Sequence, residues 1–321
     1  MKALVATAYG PPEQLSIAEL AVPRPGPGQI QVKIAASAIN PTDVRVVAGD
    51  YRALTELEFP YVPGNEFAGT VTETGPGVTG YQAGDEVFGQ AMPRQLSFVA
   101  GTNRPSLSTG ALAEYAVFEA DTPHLAHRPA NVPVEQAAAL PIAGTAAYKA
   151  AAVAGIRPGE TVLVIGATGG VGTALLPLLA VTQAKIIATA ATAADGEILR
   201  GLGADEIVGY DDYPSDVDVV LNLVLHHDRL PVAARALRPG GRLVTIIFPE
   251  PTQDQLGRDD VELHYLLDAE GKLGGMREIA EAAASGRLKV RITGSYRLDD
   301  AVQAAVDYMR EHTVGKIVVT M

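Results

Sequence analysis

The chain contains neither cysteine nor tryptophan. Without thiols, disulfides and thiolate-ligated metal sites are both excluded. Nitrogen ligands are limited to six histidines, so a metal centre would need these together with carboxylates. Positive charge is also scarce. The 25 Lys and Arg stand against 37 Asp and Glu, and the net charge of −12 argues against a nucleic-acid surface. No block of like charges, internal repeat or low-complexity tract is present. The opening MKALVATAYGPP lacks the apolar core of a signal peptide, and no uninterrupted apolar run reads as a membrane span. A soluble, cytoplasmic protein is therefore expected. What the chain does have is apolar material, at 47% hydrophobic over 321 residues, enough for two domains with proper cores.

The first 120 or so residues read as short strands divided by glycine- and proline-rich turns. QIQVKIAASAI (29–39), AGTVTETG, DEVFG and LAEYAVF predict a partly closed antiparallel β unit. PRPGPGQ and GPGVTGYQAGD punctuate it, and residues 90–110 read as polar loop. Near Asn131 the texture changes to an alanine-rich helix interrupted at Pro141. From Thr161 strands and helices alternate: TVLVIG, a helix VGTALLPLLAV kinked by Pro177, KIIATA, a helix ADGEILRGLG, EIVGY, VDVVLNLVL, a helix LPVAARALRPGG, and RLVTIIF. This rhythm predicts a parallel sheet with helices on both faces, closed by VELHYLL (261–267). The tail returns to helix MREIAEAAASG, strand KVRITGSYRL, helix DDAVQAAVDYMREH and strand KIVVT.

The turn in VLVIGATGGVG (162–172) lies between the first strand and helix of that alternation. Aligned on its last two glycines it reads Ala167-x-Gly169-x-x-Gly172, with alanine where a dinucleotide fingerprint begins with glycine. Gly169 and Gly172 would admit a pyrophosphate and let helix pack on strand. Backbone amides of Ala167, Thr168, Gly169, Gly170, Val171 and Gly172 are the candidate donors. Alanine at 167 is tolerable if the turn needs no positive φ there. The competing reading is a tight turn with no ligand. At the end of the second strand, Thr189, Ala190, Ala191 and Thr192 stand where NAD sites carry an acidic residue. A 2′-phosphate would meet no repulsion there, although no Lys or Arg lies between Ala190 and Leu199. Tyr210, ending the third strand, is a candidate donor to that phosphate, so NADPH is the expected cofactor.

The motifs INPTD (39–43), PGNEFAG (63–69), AGDEVFG (83–89), GTAAY (144–148), ATGGVG, LGADEIV (202–208), LRPGGRLV (237–244) and GKIVV (315–319) follow one another along almost the whole chain. In order and spacing the chain resembles the medium-chain dehydrogenase/reductase superfamily, specifically its zinc-free quinone oxidoreductase branch. The resemblance implies an α/β protein with two domains. A GroES-like, mainly β catalytic domain would take residues 1–121 and 268–321, and a Rossmann-type doubly wound parallel sheet residues 122–267. Zinc members carry Cys, His and Cys at the places of Asn40, Asn65 and Ile142 here, and a set of two amides and an isoleucine is no zinc site. The four-cysteine zinc lobe is missing too. His124 and His127, and the pair His226–His227, lack a third ligand in register.

The resemblance further implies that Asn40 lines the nicotinamide and substrate pocket in a cleft between the domains, with Tyr51 and Asn65. Thr145 would lie near the nicotinamide ribose, Asn222 where the strand order reverses, and Lys316 on the cofactor side. Asp43 has a turn or helix-start role as an equal alternative. Without a Lewis acid, alcohol oxidation lacks alkoxide stabilisation, whereas hydride addition to a conjugated carbonyl yields a delocalised enolate that ordinary donors can hold. The expected function is NADPH-dependent reduction of quinones or α,β-unsaturated carbonyls, with the proton coming from Tyr51 or water. One alternative is an enoyl-thioester reductase of polyketide or fatty-acyl synthesis, although only Arg94 and Arg104 would offer a basic entrance. Another is a non-catalytic NADPH-binding protein. The edge strand VELHYLL leads us to expect a homodimer.

Overall fold

A computed structural model of the protein describes residues 1–54, 56–91, 110–268 and 271–321. Arg94 and Arg104, and nearly all of the loop expected at 90–110, lie outside them. The chain opens with β1 (Lys2–Val5), β2 (Ser16–Glu19), β3 (Gln29–Ala38), α1 (Pro41–Ala48), β4 (Glu66–Thr74), β5 (Glu86–Gln90), β6 (Tyr115–Glu119) and β7 (Leu125–His127). It continues through α2 (Val134–Ala154), β8 (Thr161–Ile165), α3 (Gly170–Ala180), β9 (Lys185–Thr189), α4 (Ala193–Gly201), β10 (Glu206–Val208) and β11 (Val217–Asn222). α5 (Leu230–Ala234), β12 (Leu237–Thr245), β13 (Glu262–Tyr265), α6 (Met276–Ala284), β14 (Ile292–Arg297), α7 (Ala301–Arg310) and β15 (Lys316–Thr320) complete it.

Two compact units result, Met1–Ile142 with Asp268–Gly286 and Ile292–Met321, and Ala143–Leu267 with Arg287–Arg291. The division after Ile142 differs from the expected boundary at 121/122. The intervening segment has its partners in the first unit: β7 pairs with β5, and the Asn131 amide donates to Ala284 O at 2.8 Å.

The first unit holds a sheet in the order β14-β15-β3-β4-β5-β7, with β6 also paired to β3. Its central strand β3 is buried along most of its length because it has neighbours on both edges, and Phe67 and Phe118 stack in the core at 3.7 Å. The register does more than build a core. β3 pairs antiparallel with β15 at Ala38↔Val318 and with β4 at Ser37↔Phe67. Both partners therefore bring their near ends, Lys316 and Glu66, alongside the residues that follow Ala38.

The second unit is the expected parallel sheet, ordered β10-β9-β8-β11-β12-β13. The order reverses between β8 and β11, where the crevice outside the carboxyl ends of the strands opens. Residues Val162–Ile165 of β8 are fully buried, as a strand covered on both faces must be.

Three local expectations need correction. The helix expected over 230–241 ends at Ala234, and Leu237 already pairs with Val217 in β12. Pro239 cannot continue a helix, and Gly240 takes a φ of 72°. The helix interrupted at Pro141 is one continuous helix, α2, with the proline inside it. Contrary to the reading of the sequence, α2 is long and apolar enough to cross a membrane by length and composition. However, 67% of its most apolar window is buried, as in the core helix of a folded domain.

Candidate active site

In the first unit, Asn40 caps α1 at the end of β3. Its backbone N–H donates to Asp43 Oδ2 at 2.8 Å, and the other carboxylate oxygen of Asp43 accepts from Gly64 N at 3.0 Å. The Asn40 side chain is engaged elsewhere. Its Oδ1 accepts from Lys316 Nζ at 2.6 Å, while Nδ2 donates to Glu66 Oε1 at 2.9 Å and to Ala38 O at 3.3 Å. Lys316 Nζ also donates to Ile39 O at 3.0 Å and pairs with Glu66 Oε1 at 2.6 Å. Glu66 Oε2 accepts the Ile142 amide at 2.7 Å. Asn40, Asp43, Glu66 and Lys316 are all buried.

Three ionisable groups thus share a buried site. Burial pushes the Asp43 carboxyl up to about 7, against the opposing pull of the Asn40 N–H and the Lys316 charge. Burial also raises Glu66 above the ordinary range, opposed by Lys316, the Ile142 amide and Asn40. For Asp43 the geometry favours the turn and helix-start role, because both oxygens hold backbone amides.

Asn65, immediately before β4, donates from Nδ2 to Thr42 Oγ1 at 2.5 Å. The Asn65 side chain is buried and Thr42, in the first turn of α1, is half-buried. Tyr51 lies in the turn after α1, half-buried, with the Arg45 guanidinium 5.5 Å from its ring centre. The structure thus holds Asn40 and Lys316 in one hydrogen-bonded set with Glu66, and Asn65 in a separate hydrogen bond to Thr42.

In the second unit, β8 runs into the glycine turn. The positive φ falls on Gly166, at 88°, so Ala167 is not asked to adopt one. A Cβ on Gly172 would sit 2.3 Å from Ala167 O, which fixes that position as glycine for packing. A Cβ on Gly169 would meet only Gly166 O, at 3.5 Å. Gly169 is the N-cap of α3 and supplies no side-chain cap, so the amides of Gly170 and Val171 open the helix toward an anion. An open approach at Gly169 beside a helix N-terminus fits a pyrophosphate.

The hydroxyls expected at the ribose are engaged in the fold. Thr189 Oγ1, buried, accepts from Gly166 N at 3.0 Å and so pins the glycine turn. Thr192 caps α4, accepting from Asp195 N at 3.1 Å and donating to Asp195 Oδ2 at 2.7 Å. The reading from sequence overlooks this carboxylate, which lies one helical turn beyond Thr192. Tyr210 is half-buried just past β10. Nearby, the Tyr213 hydroxyl is buried with no hydrogen-bond partner among the described residues. Asn222 is fully buried at the reversal point. Its Nδ2 donates to Leu225 O and Thr245 Oγ1 at 2.9 and 3.0 Å, and its Oδ1 accepts from Leu225 N at 2.8 Å, which shapes the loop after β11. Thr145 is buried within α2.

His227 bonds Pro249 O at 2.7 Å and His124 bonds Gln90 Oε1 at 3.0 Å, and the described residues contain no group of three metal-ligating side chains. Sequence reasoning misses Thr42 and Glu66. The available signal for Glu66 is a carboxylate within the apolar strand of PGNEFAG, and for Thr42 a hydroxyl inside INPTD.

A Rossmann unit with a glycine turn, in one chain with a unit of GroES-like topology, defines a nucleotide-binding dehydrogenase. Residues 26–130 match the alcohol dehydrogenase GroES-like domain family, and residues 202–319 the family described as zinc-binding dehydrogenase. The 2-methylene-furan-3-one reductase of Solanum lycopersicum is 30% identical, over 99% of this chain and 79% of that protein. The NADPH-dependent alkenal/one oxidoreductase of Arabidopsis thaliana chloroplasts is 32% identical, over 77% of this chain and 62% of that one. Among solved structures, the quinone oxidoreductase from Coxiella burnetii superposes with a TM-score of 0.85 over 100% of this chain and 99% of its own, at 24% identity, and so supports the fold. The chain belongs to the medium-chain dehydrogenase/reductase superfamily, among its quinone and alkenal oxidoreductases.

Proposed function

We propose that the protein is an NADPH-dependent reductase of α,β-unsaturated carbonyls or quinones that works without a metal. The observation that carries this reading is that the residues at the places where zinc members hold their ligands are committed to hydrogen bonds within the protein. Asn40 is committed to Lys316 and Glu66, Asn65 to Thr42, and Ile142 offers only its backbone amide. The names of the tomato and Arabidopsis relatives support this substrate class, and the latter supports NADPH.

When bound, the nicotinamide supplies the hydride that adds to the β-carbon. The chain's own contribution is to hold the carbonyl oxygen as it gains charge. Both N–H groups of Asn40 are engaged, so it is not the donor. Thr42 Oγ1 already accepts from Asn65, which leaves its own O–H to donate, and Asn65 keeps a second N–H. These two groups are the donors to the enolate oxygen. A proton then reaches the α-carbon from Tyr51 or from water. The strand β13 closes the parallel sheet with β12 as its neighbour, and we propose that it pairs with a second copy. Sedimentation at micromolar concentration giving a monomer would rule that out.

The deciding experiment is reduction of a series of quinones, enones and enoyl thioesters with NADPH deuterated at C4. Deuterium at the β-carbon of an enone supports the reading. Alcohol formation alone would defeat it, preference for thioesters would move the protein to acyl-chain synthesis, and cofactor binding without turnover would make it a binding protein.

A further inference from the structure

Lys316 stands in the motif GKIVV, where the family resemblance implies a cofactor-side lysine. Its ammonium group is placed otherwise. Nζ has three N–H bonds to give, and three acceptors surround it: Ile39 O at 3.0 Å, Asn40 Oδ1 at 2.6 Å and Glu66 Oε1 at 2.6 Å. The lysine and the glutamate are both buried. Nothing of the ammonium is left to reach a phosphate.

The two side chains that Lys316 holds are next to the groups assigned above to the carbonyl oxygen. Asn40 caps α1 and lies two residues before Thr42. Glu66 immediately follows Asn65. The 2.5 Å Thr42–Asn65 hydrogen bond therefore has one end tied to Lys316 through the cap of α1, and the other through the start of β4. The pairing of β3 with β15 on one edge and β4 on the other builds this clamp, since it brings residues 40, 66 and 316 together from three distant parts of the chain.

We propose that Lys316 and Glu66 are positioning residues for the reduction, an internal ion pair that sets where the Thr42 and Asn65 donors stand, and that Lys316 has no role in holding the dinucleotide. The proposal rests on the reading that those donors serve a conjugated carbonyl.

The test uses the full chain with Lys316→Met and the double variant Lys316→Met/Glu66→Gln. The single change leaves a buried carboxylate uncompensated, so reduced folding is expected there. The double change removes both charges and should recover the thermal midpoint. Two quantities are read in whichever variants fold: the NADPH dissociation constant by fluorescence titration, and kcat for a simple enone at saturating NADPH. We expect the dissociation constant to stay within about twofold of the parent while kcat falls about tenfold or more per NADPH-binding chain, with KM for the enone little changed. A merely structural lysine would reduce the number of binding chains without lowering kcat per site, and that result overturns the proposal. So does a tenfold rise in the NADPH dissociation constant at unchanged kcat, which would return Lys316 to the cofactor. If the parent protein reduces no conjugated carbonyl, the functional reading fails by itself. The binding arm then still decides whether Lys316 serves the dinucleotide.

Discussion

The backbone amide of Ile142 donates to Glu66 Oε2 at 2.7 Å. Pro141, one residue earlier, has no N–H to give and its ring disturbs the helical ladder. The Pro141 carbonyl accepts from Gln90 Nε2 at 2.7 Å, and Gln90 Oε1 is bonded in turn to His124 Nδ1 at 3.0 Å. The groups around the proline are thus taken up by side chains of the same unit, and α2 runs on through them. Ile142 stands at a place that is a metal ligand in zinc members, yet here it contributes through its backbone. That substitution removes a metal ligand without leaving an unpaired polar group in its stead.

The glycine turn separates two kinds of glycine, and alanine at each should tell them apart. At Gly172 a methyl group would press on Ala167 O at 2.3 Å, a backbone atom that cannot turn aside. Gly172→Ala should therefore cost about 1–3 kcal/mol of stability in chemical denaturation. At Gly169 the nearest atom is 3.5 Å away and φ is −68°, which alanine adopts without strain. Gly169→Ala should keep the midpoint of unfolding within about 1 kcal/mol of the parent but weaken NADPH about tenfold, by obstructing the pyrophosphate. Loss of stability without loss of binding at Gly169 would count against a ligand at this turn.

Much of this architecture was legible in the chain. The strand–turn–helix around Gly166–Gly172, the alternation that follows and the edge position of β13 all come from local periodicity and punctuation, which the sequence carries directly. The clamp was not. Lys316 lies 276 residues from Asn40, and their contact follows from antiparallel register across β3, which no local pattern encodes. Thr189 and Thr192 read as cofactor-side candidates because their partners, Gly166 N and Asp195, are fixed only once β8, β9 and α4 are packed. The sequence reads α5 as running to its Pro-Gly-Gly punctuation, whereas pairing of Leu237 with Val217 claims the segment after Ala234 for the sheet.

Asp43 makes stability depend on pH in a direction opposite to that of most paired carboxylates. Its folded value of about 7 lies above the ordinary 3.8, so the folded chain holds this proton more tightly than the unfolded chain. The contribution is fully present below about pH 4 and is lost as pH rises through 7. A shift of this size corresponds to about 4 kcal/mol. Asp43→Asn removes the titration. Between pH 5 and 8, the parent's urea midpoint should fall relative to that of the variant, whatever their absolute difference. Parallel midpoints across that range would show that the two backbone amides hold Asp43 ionised throughout.

The proposed preference for NADPH rests on Tyr210 and on the absence of a carboxylate among Ala190–Thr192. Losing one hydrogen bond to a phosphate should cost about 1–3 kcal/mol. Tyr210→Phe should raise the dissociation constant for NADPH about tenfold or more and leave that for NADH nearly alone. Asp195, tied to the Thr192 hydroxyl at 2.7 Å, is the group that could reverse the preference. Equal affinity of the parent for both dinucleotides would assign it that role.

The assignment of donors predicts unequal consequences for two neighbouring side chains. Thr42→Val keeps the shape of the side chain but removes the hydroxyl that accepts from Asn65 and donates to the carbonyl oxygen. Removing one such donor costs about 10²–10³ in kcat in comparable sites. NADPH binding should be unaffected, since the residue belongs to the first unit and to α1. Tyr51 is a candidate for a different step. It lies half-buried under the Arg45 guanidinium, and loss of a proton donor to the α-carbon typically costs about 10²–10⁴-fold. Tyr51→Phe with a near-normal rate assigns that proton to water. A large fall with unchanged incorporation of deuterium at the β-carbon assigns it to Tyr51, because the first transfer would then proceed while the second is starved. If Thr42→Val reduces enones as fast as the parent, the carbonyl oxygen is held elsewhere. The Thr42–Asn65 bond would then be a support of the fold alone.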